Sequence, residues 1–464
     1  MAGTSIAVHI FMSKIFARHA LRESSKDVFN SNPRARLSLR REKMDSEINA
    51  LQKLGLGAAG LIFVFLGAAA LQAQDLDSLV NELVEKNPAI LAARHALDAS
   101  QARIIPARTL PEPTVSFATM GNLIPPTLMS ADPSSARVIL FSQEVPFPGK
   151  LKLQGQAASA EAAAQMWKYE EVRREMVAEL KSAYYDLFLA QKLTEVVENS
   201  GKLLQQFAEI SESQYQVGKG AQQDLIKADV EILRLQDRLA ELERNKGSAQ
   251  ARINTLLYRP PDIPIAAPAD MAVPKLAQTL DELYRKAEGS NPRVRMNQKE
   301  IERNEYNVAL AKKAFYPDFE GGFEYFNRKD LPGMYGLMFK ATIPLYFWRR
   351  QRPELEAATS SLLQQRRTYE NTISNLYFQL KDPFLKTAAD ARLLELYGKT
   401  IIPQSTLALE SSISSYRVGT VDFLSLLSNQ QTVLDYEMKY YEVMADYYKT
   451  LVVLESIVGE KLTP

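Results

Sequence analysis

The sequence predicts a mainly α-helical fold made of two copies of one half-protein, each half carrying a β-hairpin. Three observations predict it. Leu76-Asp77-Ser78-Leu79 recurs as Leu280-Asp281-Glu282-Leu283, Asn87-Pro88 as Asn291-Pro292 and Pro113 as Pro317, all at an offset of 204 positions. After Pro317 the residues alternate strictly between apolar and polar, which is the period of a half-buried strand. Each half also holds a long helical tract with few proline or glycine residues, far beyond the length of an ordinary globular helix.

Residues 1–73 are expected to be an N-terminal extension and signal peptide. Leu54–Leu71 is an apolar run containing four glycines, preceded by Lys53 and followed by small residues at Ala73 and before it. That pattern suits an export signal, and the run is at the lower limit for a spanning helix. Residues 1–43 are long and basic for a signal, so translation from Met44 would give one of ordinary proportions.

The first structural repeat, residues 74–258, opens with a short amphipathic helix, Leu76–Lys86, stopped by Asn87-Pro88 because proline disfavours helical geometry in the residue before it. A second helical stretch covers Ala89–Arg103. Strands follow at 114–122 and 136–145, with Val115, Phe117, Ile139, Phe141 and Val145 on one face. Gln154–Gln216 is a helical tract long enough to span roughly 90 Å at 1.5 Å per residue. A tip at 215–220 turns it into a return helix, Gln222–Leu257, whose Leu225, Ile232, Leu235, Leu239 and Leu242 have coiled-coil-like spacing.

A proline-rich connector, 259–279, leads to the second repeat, 280–464. Helices at Leu280–Glu288 and Arg293–Ala314 precede strands at 319–327 and 335–343. The outgoing helix, Pro353–Tyr416, is expected to kink at Asp382-Pro383 and Ile402-Pro403. The tip is 416–420, and Val421–Val458 returns.

The second hairpin is the clearest pattern in the chain. Phe319, Phe323 and Tyr325 share a face with Leu337 and Phe339, while Glu320, Glu324, Met338 and Lys340 take the other. About nine residues is the length of a tilted strand crossing a bilayer. Aromatics outside and charges inside suit a barrel in lipid, and a hairpin on a soluble core shows the same alternation. Four strands cannot close a barrel. Open edges in lipid would leave backbone groups unsatisfied, so a membrane-spanning version must oligomerise.

Composition argues against chemistry. Cysteine is absent, and the histidines are His9, His19 and His95. No nucleophile elbow, phosphate loop or zinc-protease motif occurs. No catalytic residue, cofactor site or metal site is expected; Met120, Met129, Met334 and Met338 lack the histidine and cysteine company of a soft-metal site. Without residues 1–53, acidic residues outnumber basic ones, so no nucleic-acid partner is expected.

Duplicated halves of helix, two strands and helical hairpin, each with a Tyr-x-Val-Gly tip, resemble the TolC-type outer membrane efflux proteins. The likeness runs from Gln74 to about Leu462. It is carried by Tyr416-Arg-Val-Gly419-Thr-Val-Asp-Phe-Leu-Ser-Leu-Leu427 and by Val145-Pro-Phe-Pro-Gly-Lys150, the latter similar to the branch serving heavy-metal and drug pumps. The resemblance implies a homotrimer in the Gram-negative outer membrane, with a 12-stranded β-barrel continuing into a long periplasmic α-helical barrel. It also implies a periplasmic adaptor protein and an inner-membrane transporter as partners.

By the same resemblance, Tyr215, Val217, Gly218, Tyr416, Val418 and Gly419 belong to adaptor-contacting tips. The family's constricting aspartates would fall at positions held here by Ser425 and Ser428. Asp422, Leu424 and Leu427 are then alternative candidates for the periplasmic gate, as is Asp224, whose usual basic partner position is Val421 and for which Arg417 could substitute. The competing reading is a periplasmic coiled-coil adaptor, a class with one helical hairpin per chain rather than two.

Overall fold

A computed structural model describes residues 76–123, 126–127, 135–266, 271–328 and 331–463. The expected signal peptide, the Met44 start and Met129 lie outside the described residues. The described chain is dominated by helices α1 (Leu76–Lys86), α2 (Pro88–Ala102), α3 (Ile104–Arg108), α4 (Lys150–Gln216), α5 (Gln222–Leu256), α6 (Leu280–Ser290) and α7 (Pro292–Lys313). It continues with α8 (Gln351–Leu396), α9 (Ile402–Arg417) and α10 (Phe423–Val458).

One four-stranded antiparallel sheet runs β1 (Thr114–Met120), β2 (Ala136–Val145), β3 (Asp318–Asn327), β4 (Met334–Thr342). β1 stops at Met120 rather than at residue 122, because Gly121 takes φ 137°, outside strand geometry. The second hairpin is offset by one residue from the expected bounds. Asp318 pairs with Thr342, so β3 starts one residue early, and β4 ends before Ile343 and Pro344. The two halves meet along β2 and β3, where Val145 lies opposite Phe319 and Arg137 opposite Asn327.

Helix α4 is 67 residues, about 100 Å of rise. It packs against α5, α7, α10 and α2. The largest core cluster sits halfway along it. There Tyr185, Leu187 and Phe188 meet Leu79 and Leu83 of α1, Ile253 of α5, Leu283 of α6, and Tyr447 and Tyr448 of α10. The Tyr185 and Tyr448 rings stack at 4.8 Å. The Tyr448 hydroxyl donates to the Ala272 carbonyl of the connector at 2.7 Å, and burial raises its pKa to about 12.

The Asn-Pro repeats sit beside this core. Asn87 Oδ1 accepts from the Ala89 and Ile90 amides, capping α2, while its Nδ2 donates to the Leu256 carbonyl at the end of α5 at 2.8 Å. Asn291 does the same in the second half, capping α7 and donating to the Ile457 carbonyl of α10 at 3.3 Å. Proline takes the first helical position in both, where no N–H is needed.

The two expected kink sites of the outgoing second helix differ in local structure. Pro383 lies inside α8 without ending it. Buried Leu376, Leu380, Thr387 and Leu394 hold that helix against the core and outweigh the proline penalty of about 3 kcal/mol. The interruption near Pro403 is a π-helical turn, Tyr397–Ile401, after which proline sits at the start of α9.

Candidate functional site

Two regions concentrate unusual side chains, the sheet at one end of α4 and the hairpin tips at the other. In the sheet, alternation puts the large apolar residues on one face of all four strands, and that face is uncovered. Phe339 is 87% exposed and Phe117 77%, with Val115, Ile139, Phe141, Phe319, Phe323, Tyr325 and Leu337 also exposed. The opposite face is more polar and partly enclosed: Ser142 is buried and bonds Thr114 at 2.8 Å, and Lys340 pairs with Glu320 at 3.0 Å. Contiguous apolar exposure on this scale marks a surface that meets something other than water. The outer edges of β1 and β4 have no strand partner among the described residues.

Both tips are built alike. Gly218 N bonds Tyr215 O while Lys219 N bonds Gln214 O, and Gly419 N bonds Tyr416 O while Thr420 N bonds Ser415 O. These are Schellman closures, which require a left-handed residue after the helix. Gly218 at φ 72° and Gly419 at φ 78° supply it. Val217 and Val418 cap the two helices at equivalent positions and are 67% and 75% exposed.

The tips differ at tyrosine. Tyr215 is exposed, whereas Tyr416 is 5% exposed and its hydroxyl pairs with Ser211 of α4 at 2.9 Å. Gln214 donates to the Tyr416 carbonyl at 3.2 Å. Burial, partly offset by the Ser211 hydrogen bond, raises the Tyr416 pKa, and the nearby Asp224 carboxylate adds to that. Tyr416 therefore ties the second tip to the first within one chain.

The gate candidates separate into four groups. Leu427 is buried in a local core with Leu204, Phe207, Phe423 and Leu426. It packs within the chain. Arg417 is exposed and forms no ion pair with Asp224, so the proposed substitute link is absent within the chain. Leu424, Ser425 and Ser428 are exposed along one side of α10. Ser211, Gln214, Gln430 and Gln431 were not singled out from the sequence. Gln430 is buried on Ser200, and Gln431 donates to Glu231 at 3.1 Å, so both tie the second hairpin to the first. Their signal was polar residues interrupting an apolar stripe.

Asp422 is the N-cap of α10, its Oδ1 accepting from Ser425 N at 3.0 Å. Hydrogen bonds from the Ser425 hydroxyl and amide hold its carboxyl below the ordinary range. A lowered folded pKa means the cap is at full strength above the unfolded value of about 4 and weakens as pH falls through the folded one. Asp422→Ala is expected to raise amide exchange over Phe423–Leu426, with Asp422→Asn close to wild type because asparagine also caps. Exchange that rises equally in both variants would mean that the charge, and not the cap, is what matters.

Among the described residues no group of three or more histidine, cysteine, aspartate or glutamate side chains gathers as for a metal ion. No described helix is long and apolar enough to cross a membrane.

The family model described as outer membrane efflux protein matches residues 79–257 and 283–460. The cobalt-zinc-cadmium resistance protein CzcC of Cupriavidus metallidurans is 21% identical over 392 residues, spanning 83% of this chain and 90% of its own length. The solved outer-membrane channel OprN superposes with a TM-score of 0.72 at 18% identity, covering 83% of this chain and 89% of that one. VceC, an outer membrane protein from Vibrio cholerae, superposes at 0.71 and 15% identity, covering 83% and 96%.

Proposed function

The chain belongs to the outer membrane efflux protein family, and from that premise we propose how it works: as a passive trimeric duct, docking to a periplasmic adaptor and an inner-membrane transporter. The observation that carries this reading is the inside-out sheet, with exposed Phe319, Phe323, Tyr325, Leu337 and Phe339 on one face and the Glu320–Lys340 pair on the other. In a bilayer the apolar face meets lipid and the polar face lines water. Free edges at β1 and β4 are unsatisfiable in hydrocarbon. Joining β4 of one copy to β1 of the next removes both, and three copies give twelve strands.

Below the barrel, six helical hairpins form the periplasmic tunnel. The exposed valines at 217 and 418 and Tyr215 offer the adaptor small apolar knobs. Leu424, Ser425 and Ser428 face the bore of the closed end. The duct itself performs no reaction, and its cargo, small molecules or metal ions, is what the transporter delivers. A free periplasmic adaptor is disfavoured by two helical hairpins per chain and by an uncovered apolar sheet.

Expression in a Gram-negative host tests this. The protein should fractionate with the outer membrane, run as a heat-modifiable trimer, and conduct in planar bilayers. Recovery as a soluble periplasmic monomer would overturn it.

A further inference from the structure

The two strand-to-helix corners, which the repeat makes equivalent, have opposite surfaces. At the first, Lys150 closes on Asp318 at 2.7 Å, Asp318 also accepts from the Phe147 amide at 2.7 Å, and the Phe147 ring stacks on Tyr316 at 4.5 Å. Lys313 lies over the Phe147 ring. That corner is satisfied within its own chain.

The second corner is not. Aligning Val145-Pro146 with Ile343-Pro344 puts Trp348 where the first corner has Lys150. Ile343, Leu345, Tyr346 and Trp348 are all exposed, and Arg349, Arg350 and Arg352 follow directly, exposed as well. Among the described residues their ion-pair partners are one helical turn away, Glu354 at 3.4 Å from Arg350 and Glu356 at 3.6 Å from Arg352. Both are exposed pairs of the kind that contribute little. Arg349 has no carboxylate partner among the described residues.

We propose that residues 343–352 seat in the phospholipid monolayer at the helix end of the barrel, with the three arginines binding the phosphates of anionic headgroups. This rests on the barrel reading above. The segment continues from β4, whose Leu337 and Phe339 are among the most exposed apolar side chains of the chain, so the medium that bathes them reaches Ile343. The order along it is aliphatic, then aromatic, then cationic. That is the order of acyl chain, interface and headgroup. Guanidinium groups match phosphate geometry, and clustered basic residues beside a membrane select anionic lipid.

A second copy of the chain is a poorer occupant. The residue equivalent to Asp318 in the first repeat is Thr114, and the equivalent of Tyr316 is Glu112. A neighbouring β1 therefore brings no clamp for this corner and one carboxylate for three arginines.

The chain has two tryptophans, so Trp167→Phe leaves Trp348 as the sole indole probe. The trimer would be reconstituted in vesicles of phosphatidylcholine and phosphatidylglycerol, with bromine placed on one lipid at a time. Trp348 should be quenched best by bromines near the carbonyls, and roughly twofold more by brominated phosphatidylglycerol than by brominated phosphatidylcholine at equal mole fraction. That preference should vanish in R349Q/R350Q/R352Q and survive in weakened form in R349K/R350K/R352K, which keep the charge and lose the guanidinium geometry. Equal quenching by both lipids in the unaltered segment would overturn the headgroup assignment. A Phe339→Trp probe in a background lacking both native tryptophans reports on the barrel separately. Deep quenching there with none at Trp348 would mean a neighbouring protomer covers the corner, which sinks this proposal alone. Quenching at neither site would sink the barrel reading as well.

Discussion

Phe339→Arg is expected to leave almost no heat-modifiable trimer in the outer membrane. Phe339 lies mid-strand in β4 opposite Gly321, on the face it shares with Phe141 and Phe323, and is 87% exposed in the single chain. An arginine near the bilayer midplane of a barrel costs about 2–4 kcal/mol. A homotrimer incurs it three times, roughly 6–12 kcal/mol, which matches the whole stability of a typical fold. The next position reverses the expectation. Lys340 points to the polar face and pairs with Glu320, so Lys340→Gln should assemble and alter only ion flow. Normal trimers from Phe339→Arg would mean that the exposed face is covered by protein and not by lipid.

Much of this arrangement is legible in the sequence, and what is not has physical reasons. Period two reveals which strand residues share a face, since that follows from backbone geometry alone. It says nothing of which strands pair, and the β2–β3 pairing that joins the halves depends on contacts between residues nearly two hundred positions apart. The glycines of the tips announce left-handed caps. The different fates of Tyr215 and Tyr416 do not show, because both sit in the same local motif and only tertiary contacts, with Ser211 of α4 and Phe423 of α10, bury one of them. Leu427 illustrates the same limit: helical spacing places it on a stripe, and only tertiary structure tells whether that stripe faces a core or a bore. Asp422 invited an electrostatic role while its simplest use, capping the helix that begins at Phe423, was already written in its position.

Charges beside the collar, meaning the short helices α1 and α6 and the Asn-Pro caps that follow them, carry information that the duplication hides. Glu82 of α1 pairs with Arg259 just beyond α5, Nε to Oε1 at 2.9 Å. At the equivalent place in the second half Lys286 pairs with Glu460 at 2.6 Å. The polarity is inverted. Pairing the first collar helix with the wrong return helix would set Glu82 against Glu460 and Lys286 against Arg259. Like charges in those positions work against exchange between halves that are otherwise built to the same plan.

Asn87→Ala is expected to destabilise this collar by about 2–4 kcal/mol, the sum of a lost N-cap at about 1 kcal/mol and an orphaned buried carbonyl at about 1–3 kcal/mol. Asn87 is 5% exposed and Leu256, whose carbonyl it serves, is equally buried. The return helices α5 and α10 end with carbonyls that lack intrahelical partners, and α2 and α7 begin with free amides. One asparagine serves both, since its oxygen accepts from the helix it starts while its nitrogen donates to the end of the return helix. Aspartate would keep the cap and turn the donor into a second acceptor facing the Leu256 carbonyl. Asn87→Asp should therefore fail to recover stability. The matching Asn291→Ala should cost less, because its donated bond to Ile457 is longer, 3.3 Å against 2.8 Å. Thermal unfolding of the detergent-solubilised trimer, with amide exchange read at the ends of α5 and α10, would rank the three variants. If Asn87→Asp unfolds with the wild type, the bond to Leu256 contributes nothing and the repeated Asn-Pro is a helix start alone.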